Sequence, residues 1–286
     1  MKHKKTLLII GGDKRQVYMP EYLISKGFDV ILFGFDNQVN EYAFHGTLET
    51  ALSRADGVIL PLPGSRDGTN INAPFSQNSI TFADLLACVD NTKTVFGGML
   101  PKEWVSALKT KGVVCHDYFA SEELALLNAV PTAEGVVGTI IFNLPITVKD
   151  AKVAITGFGR CGAATAKALG ALGAEITIVV RGSVAVAKAQ IEGYHTCYLK
   201  DFAAAAGSFD AIVNTVPSLI IDRSILESMN PETPVIEIAS APFGVDFEAA
   251  QELKIKVIKE GSIPGRTAPK TAGKIISETI CHILEE

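Results

Sequence analysis

The sequence lacks a Cys-X-X-Cys pair and any excess of basic residues, and each absence excludes a class of protein. Its five cysteines are an odd number scattered over 286 residues, so we expect neither a disulfide framework nor a zinc or other metal site. Because 26 lysines and arginines are outnumbered by 31 aspartates and glutamates, we expect no binding to nucleic acid or to an anionic membrane.

The N-terminal segment also lacks a long apolar run. The run Thr6–Ile10 is far shorter than the roughly 20 residues of a membrane span, and it is too short for a signal peptide. Hydrophobic residues make up 48% of the chain, which supplies enough apolar material for two domain cores at this length. The composition therefore predicts a soluble cytoplasmic protein.

The most informative segment is a glycine-rich turn between an apolar strand and an alanine-rich helix. In such a turn the first glycine permits the tight bend, the second lets the backbone approach a pyrophosphate, and the third allows close helix packing. A second apolar strand follows at the spacing of one βαβ unit. The alternative is a glycine turn in an ordinary α/β domain. The predicted dinucleotide-binding residues are Gly157, Phe158, Gly159, Arg160, Cys161 and Gly162.

The end of the second strand favours one dinucleotide over the other. An acidic residue usually stands there and binds the ribose hydroxyls of NAD, whereas this chain has Arg181 and then Ser183. A guanidinium and a hydroxyl can hold a 2′-phosphate, and Arg160 can add charge. We therefore predict NADP(H) as the cofactor. The alternative is that Arg181 is a solvated surface residue.

Two later strand ends complete the predicted cofactor site. Thr215, Val216 and Pro217 follow one strand, at a position under the adenine ribose and the nicotinamide. Ala239 lies at the end of the next strand and is expected to approach the nicotinamide ring.

Strands alternate with helices in both halves of the chain, which predicts an α/β fold of two doubly wound parallel sheets separated by a cleft. The first domain, flavodoxin-like, is predicted to comprise residues 1–131 and a C-terminal helix at about 274–286. The second, a Rossmann domain, is predicted to comprise residues 132–273. A helix broken near residue 131 is expected to restart at Thr132 and to cross between the domains.

Ligands of such sheets bind beyond the carboxyl ends of the strands. At the end of the first strand, a glycine turn leads into the N-terminus of a helix, a position that suits a carboxylate. Pro61 directly follows another strand. A polar loop at 65–78 is either a lid or a surface excursion. The alternative for Asp13 is a helix cap, with Arg15 solvated. The predicted substrate-binding residues here are Gly12, Arg15, Gln16, Pro61 and Thr132.

A glycine- and proline-rich tail is predicted to precede the last helix and to supply a second cationic clamp. Together with Arg15 it would hold the two ends of a dicarboxylate, and the alternative is a structural loop with solvated cations. Glu134 is either a capping-box carboxylate or a buried acid–base group. The tail residues with predicted roles are Arg266, Thr267, Lys270 and Thr271.

Five motifs together resemble the A subunit of dipicolinate synthase from spore-forming bacteria, over essentially the whole chain. The resemblance implies oxidation of dihydrodipicolinate to dipicolinate, a second, flavoprotein-like subunit, and expression in the mother cell during sporulation. A more distant likeness is to 2-hydroxyacid and alanine dehydrogenases. The motifs are Gly-Gly-Asp-Lys-Arg-Gln at 11–16, Leu-Pro-Leu-Pro at 60–63, Pro-Thr-Ala-Glu-Gly at 131–135, Gly-Phe-Gly-Arg-Cys-Gly at 157–162 and Ala-Pro-Lys-Thr-Ala-Gly at 268–273.

The residues and the resemblance agree on hydride transfer from a ring carbon to the nicotinamide while a base removes a neighbouring proton. Glu134, Asp13 and His116 are candidate bases, and Lys270 is a candidate for stabilising developing charge. Two alternatives stay open: a dehydrogenase of another oxo, amino or hydroxy dicarboxylate, and a non-catalytic NADP sensor. The oligomeric state is open as well, a homo-oligomer included.

Overall fold

The chain forms two parallel β-sheets, each covered by helices, in a computed structural model that describes residues 4–38 and 40–285. Two compact units result. The first runs to Asn128 and resumes at Pro264, and the second comprises Ala129–Ile263. The sequence predicted the domain boundaries at 131/132 and 273/274. In the structure, residues 264–273 belong to the first unit.

The first unit contains a five-stranded sheet in the order β2-β1-β3-β4-β5, with every pairing parallel. This is the strand order of flavodoxin-like folds. The strands are β1 Thr6–Ile10, β2 Asp29–Phe33, β3 Gly57–Ile59, β4 Thr94–Gly97 and β5 Val114–Asp117. The helices are α1 Lys14–Ser25, α2 Leu48–Ser53, α3 Phe82–Cys88, α4 Lys102–Thr110 and the C-terminal α12 Pro269–Glu285, with a 3-10 turn at Tyr118–Ala120.

The second unit contains a six-stranded parallel sheet in the order β11-β10-β9-β6-β7-β8. When β6 to β11 are renumbered 1 to 6 and the sheet is read from the β8 edge, the strand order is 3-2-1-4-5-6, which is the order of the Rossmann fold. The strands are β6 Lys152–Thr156, β7 Glu175–Val180, β8 His195–Tyr198, β9 Ala211–Asn214, β10 Val235–Glu237 and β11 Val257–Lys259. The helices are α6 Arg160–Ala171, α7 Ser183–Ile191, α8 Phe202–Ala205, α9 Arg223–Glu227 and α10 Phe247–Glu252, with 3-10 turns at Leu199–Asp201 and Ala206–Ser208. The predicted fold class is confirmed.

Each sheet is buried on both faces, as a doubly wound fold requires. In β1, Leu8 and Ile10 belong to one apolar cluster, and Leu7 and Ile9 belong to the cluster on the opposite face. Successive side chains of a strand point to opposite faces, so an uninterrupted apolar run fills both cores. This is why the strands could be identified from short apolar runs alone.

The predicted helix break near residue 131 is wrong. A single helix, α5, runs over Glu122–Asn143 with Pro131 inside it. Proline removes one helical hydrogen bond, but Pro131 itself is buried. Val136 and Ile140, fully buried in the core of the second unit, fix the following turns. Tertiary packing therefore overrides the local signal.

Two site predictions depended on that break. Thr132 and Glu134 lie in the middle of α5 and not at a helix N-terminus, so the capping-box interpretation of Glu134 is wrong. The Glu134 side chain is exposed and that of Thr132 is half-buried.

The tail differs from its prediction in a similar way. Residues Ile263–Thr267 form the short helix α11, and α12 begins at Pro269, several residues before the predicted start. Proline at the first helical position is favourable because its fixed φ suits a helix and its missing N–H is not needed there. Lys270 and Thr271 consequently lie in the first turn of α12.

Helix α5 is also long and apolar enough, by length and composition, to cross a membrane. Such a helix is weak evidence for a membrane protein, because core helices of soluble proteins pass the same test. Here Val136 and Ile140 are part of a domain core. Phe142 and Val130, by contrast, are 87% and 54% exposed.

Helix α12 packs so closely on α1 that one position admits only glycine. A Cβ added at Gly273 would lie 2.3 Å from the carbonyl oxygen of Arg15, whereas one added at Gly138 in α5 would meet no described atom within 4 Å outside the backbone of its own helix. We expect Gly273→Ala to lower the free energy of unfolding by about 1–3 kcal/mol through overpacking. Gly138→Ala should raise it by about 0.5–1 kcal/mol through helix propensity. Chemical denaturation of the two variants would measure these opposite signs, and equal effects would contradict the close packing of α1 and α12.

Candidate functional site

The glycine turn of the second unit has the geometry of a phosphate-binding turn. Gly157 has a φ of +83°, and a Cβ at Gly162 would lie 2.4 Å from the carbonyl oxygen of Gly157. Space is open at Gly159, where an added Cβ would meet no described atom within 4 Å. Both the bend and the close helix packing therefore require glycine, and the middle position leaves room for a ligand.

The N-terminus of α6 is open in a way that suits an anion. Its N-cap is Gly159, and within the described residues no side chain caps it. The first N–H groups of a helix have no intrahelical acceptor, and they carry the positive end of the helix dipole. A phosphate is therefore the natural partner for this end of α6.

The segment after β9 lies directly against the glycine turn. Thr215 donates its hydroxyl to the carbonyl oxygen of Thr156 at 2.7 Å. A Cβ at Gly157 would lie 2.7 Å from Val216 Cγ2. The structure thus brings two of the residues predicted from separate parts of the chain together around one turn.

The other residues predicted around this turn differ in their exposure. Arg160 and Pro217 are exposed, whereas Ala239 is buried and its N–H donates to Glu237 at 2.8 Å. Phe158 packs edge-on against Tyr194, with ring centroids 5.9 Å apart. Burial raises the pKa of the Cys161 thiol against the opposing effect of Arg160, so a reactive thiolate is not expected there.

A cavity opens at the carboxyl ends of β7 and β8. It has a volume of about 490 Å³ and is lined by Arg181, Tyr198, Leu199 and Lys200. Lys200 lies 5.8 Å from the ring centroid of Tyr198, and Ser183 is exposed at the start of α7. Sequence reasoning identified Arg181 and Ser183 but missed Lys200. The pairing of β8 with β7, which places Lys200 near Arg181, is a tertiary contact that the sequence around either residue does not show.

The first unit uses its own glycine turn differently. Asp13 caps α1 and accepts from the N–H of Arg15 at 3.0 Å, and the Gln16 side chain completes a capping box. The Arg15 guanidinium also binds Asp13, through Nε and Nη2 at 2.9 Å each, and donates to the carbonyl oxygen of Leu62. Arg15 is only 3% exposed.

This pairing corrects the expectations for both residues. Arg15 is not solvated, and its burial and its pairing with Asp13 argue against a direct contact with a substrate carboxylate. Asp13 is a helix cap whose two oxygens both accept from Arg15, which argues against a role as a base. The pair joins the start of α1 to the loop after β3, where Pro61 is buried.

Few hydrogen-bond donors at this turn remain available to bind the predicted anion. The N–H of Gly12 donates to the carbonyl oxygen of Asn72 at 2.8 Å. Gln16 is fully buried, and its Nε2 has no partner among the described residues. His116 stacks on Phe96 with ring centroids 5.6 Å apart.

The tail contacts the first helix, but its cationic side chains do not all converge on one site. A Cβ added at Gly265 would lie 3.0 Å from Arg15 Nε, so the tail does run against Arg15. The Lys270 ammonium instead pairs with Glu21 on α1 at 2.7 Å, with both side chains about two-thirds exposed. Thr267 and Thr271 are exposed as well.

The polar loop at 65–78 is held by two carboxylates, Asp67 within it and Asp36, which accepts from the N–H of Gln77 at 3.0 Å. Asp67 accepts from the N–H groups of Thr69 at 2.8 Å and Asn70 at 2.7 Å, and these bonds, with that to Asn70 first, hold its pKa well below the usual range. Trp104 adds a bond to the carbonyl oxygen of Gly68 at 3.0 Å. These bonds order the loop, and its role as a lid or as a surface excursion stays a prediction.

Comparison with known proteins covers both units. Residues 6–119 match the family model of the N-terminal domain of the dipicolinate synthase A subunit. Residues 141–261 match that of the D-isomer specific 2-hydroxyacid dehydrogenase NAD binding domain. The second match agrees with the distant likeness to 2-hydroxyacid dehydrogenases noted from the sequence.

Similar proteins match over nearly their full length. The dipicolinate synthase A subunit of Bacillus subtilis strain 168 is 30% identical over 291 residues, which cover 98% of this chain and 96% of that protein. The crystal structure of the same subunit from Bacillus halodurans gives a TM-score of 0.90 at 29% identity, covering 99% of this chain and 98% of the other. The crystal structure of the Bacillus subtilis protein gives 0.87 at 27% identity, covering 100% and 97%.

The contrast between the two cations of the first unit is testable. Arg15→Ala leaves Asp13 without its buried partner, and we expect it to lower the free energy of unfolding by about 3 kcal/mol. Lys270→Ala removes an exposed pair and should change it by less than about 1 kcal/mol. Urea denaturation of both variants would measure the difference. Equal stabilities would show that the Arg15–Asp13 pair does not hold the first unit together.

Proposed function

This chain belongs to the family of dipicolinate synthase A subunits, and we propose that it oxidises dihydrodipicolinate to dipicolinate with NADP⁺. The family and the NAD-binding domain make it an NAD(P)-dependent oxidoreductase. The observation that carries the proposal is the open N-terminus of α6 behind Gly157, Gly159 and Gly162, in a chain that matches this family along its full length.

The proposed reaction requires positioning more than chemical activation. A bound nicotinamide accepts one hydride, and a proton leaves the neighbouring ring atom, so a dihydropyridine becomes an aromatic pyridine. Because aromatisation favours the product, the work of the protein is to hold the donor carbon against the acceptor and to exclude water. The residues at the open end of α6 hold the pyrophosphate in this proposal.

Preference for NADP⁺ is proposed from the cavity at the ends of β7 and β8. Two cationic side chains, Arg181 and Lys200, line it together with the hydroxyl-bearing ring of Tyr198. A guanidinium and an ammonium match a 2′-phosphate, and no carboxylate lines this cavity within the described part of the chain. The exposed hydroxyl of Ser183, at the N-terminus of α7, is proposed as a further ligand.

The substrate carboxylates are proposed to bind in the first unit. We assign them to the buried amide of Gln16 and to the tail residues Arg266, Thr267 and Thr271, with Arg15 acting through the loops it joins. Lys270, which pairs with Glu21, is kept as the candidate for stabilising developing charge. Glu134, which is exposed on α5, and His116 are the remaining candidates for the base. Asp13 is withdrawn, because Arg15 occupies its carboxylate.

The name of the Bacillus subtilis relative designates one subunit of a synthase, which supports the proposal that this chain works with a second subunit. The flavoprotein-like character of that partner, and action in the mother-cell cytoplasm during sporulation, belong to the same proposal.

The cofactor proposal is tested by removing the two cations. For Arg181→Ala and Lys200→Ala we expect NADPH to bind about 10–100-fold more weakly, because each variant loses a charge-assisted contact to the 2′-phosphate. Binding of NADH should change by less than about threefold. Titration calorimetry with both dinucleotides would measure this. Lys188→Ala, which removes an exposed cation from α7, is the matched control. A parallel loss of NADH affinity would argue against a 2′-phosphate site.

The reaction itself is tested with the purified chain and freshly generated dihydrodipicolinate. We expect pyridine product and reduced cofactor to appear together in absorbance with NADP⁺, and much more slowly with NAD⁺. If product forms only after the second subunit is added, the chain depends on that partner. Tight NADPH binding with no product even then would point to a sensor or to a different dicarboxylate.

A further inference from the structure

A fully buried glutamate closes the carboxyl edge of the second sheet. Glu237 is the last residue of β10 and is 0% exposed. Its Oε1 accepts from the N–H of Ala239 at 2.8 Å, and its Oε2 accepts from the N–H of Gly244 at 2.9 Å. Asn214 Nδ2 donates to both oxygens, at 2.8 and 2.9 Å.

Asn214 carries the same network to the neighbouring strand. It is the last residue of β9 and is also 0% exposed. Its Oδ1 accepts from the Thr156 hydroxyl at 2.5 Å and from the N–H of Val216 at 3.2 Å, while its Nδ2 donates to the Val216 carbonyl oxygen at 3.1 Å. One amide thus fixes the first residues of the loop after β9.

The loop after β10 packs closely against Asn214. A Cβ at Gly244 would lie 2.4 Å from Asn214 Nδ2 and 2.5 Å from the Val216 carbonyl oxygen. The segment 239–244 is therefore pressed onto the loop after β9. Its two ends are both tied to the one carboxylate of Glu237.

The third loop of this edge is the glycine turn, which begins directly after Thr156. Three segments that follow different strands, at 157–162, 215–217 and 239–244, consequently share one buried network formed by Thr156, Asn214 and Glu237. Ligands of doubly wound sheets lie over such loops at the carboxyl edge. None of the three network side chains is itself exposed.

A carboxylate in this place needs an explanation other than stability. Removing a charge from water costs free energy, and well-packed apolar residues of similar volume often stabilise a core as much or more. A buried acid whose acceptor sites are all matched can instead specify one arrangement of the groups around it.

We propose that Glu237 is a positioning residue for the nicotinamide half of the dinucleotide. It holds the loops at 215–217 and 239–244 in one geometry against the glycine turn, without touching the ligand. This inference rests on the proposed dinucleotide function. It predicts that loss of Glu237 weakens binding of the adenosine half far less than binding of the whole dinucleotide, because Arg181 and Lys200, which we propose hold the 2′-phosphate, lie at the ends of other strands.

The test variant is Glu237→Gln, which keeps the shape of the side chain. In the variant, an NH₂ group replaces one carboxylate oxygen and must face the N–H of either Ala239 or Gly244. Two hydrogen-bond donors cannot bond to each other, so one end of segment 239–244 is released. We expect the affinity for NADPH to fall about tenfold, the size of effect that a lost buried hydrogen bond produces. The affinity for adenosine 2′,5′-bisphosphate should stay within about twofold of the wild-type value. The fluorescence change of NADPH on binding should be diminished.

Controls separate positioning from general damage. Glu248→Gln makes the same chemical change at an exposed site of the same unit and should alter neither affinity. Thr156→Val removes the hydroxyl that bonds to Asn214 and, at 3.4 Å, to the Val213 carbonyl oxygen, while it leaves Glu237 in place. It should show the same selective loss for NADPH to a smaller degree, about threefold. If Glu237→Gln fails to fold, Thr156→Val decides the matter.

The results that would contradict the positioning role differ from those that would contradict the proposed function. Equal losses for NADPH and adenosine 2′,5′-bisphosphate, or no loss for either, would overturn the positioning role. If the wild-type chain bound the bisphosphate but gained nothing from the nicotinamide half, the inference would also be wrong. If it bound neither ligand, the proposed function would fail first.

Discussion

The N–H groups in the first turn of a helix need acceptors, and the two units meet this need in opposite ways. At α1 the chain supplies its own carboxylate, because Asp13 caps the helix and Arg15 balances its charge. At α6 the cap is glycine, and the described residues offer it no capping side chain. Both helices follow the first strand of a doubly wound sheet, so the same position is structural in one unit and suited to an external anion in the other.

Close backbone approach is the second constraint, and it too occurs in both units. Gly162 lets α6 press against the glycine turn, and Gly273 lets α12 press against α1. In the second unit the approach shapes the glycine turn that we propose binds the dinucleotide. In the first it anchors the C-terminal helix to the N-terminal one, although they lie at opposite ends of the sequence, so the two ends of the chain complete one core.

Buried charge has the same purpose in each unit, although its chemistry differs. The Arg15 guanidinium ties the start of α1 to the loop after β3, and the Glu237 carboxylate ties together the loops after β9 and β10. In both cases a single side chain fixes several loops at the carboxyl edge of a sheet. A buried charge with matched partners permits few alternative arrangements, so each of these edges is held in one geometry.

Local patterns in the sequence were enough to predict the alternation of strands and helices, the two parallel sheets and the dinucleotide turn. Each of these follows from steric rules within a few residues, such as the apolar run of β1 or the glycines at 157 and 162. Only the tertiary structure decided that Arg15 pairs with Asp13, that α5 continues through Pro131, and that Lys200 lies beside Arg181. The same holds for Glu237, whose partners Asn214 and Gly244 come from other segments. These features depend on burial and on contacts between residues distant in the chain, and neither leaves a mark on the sequence around each residue.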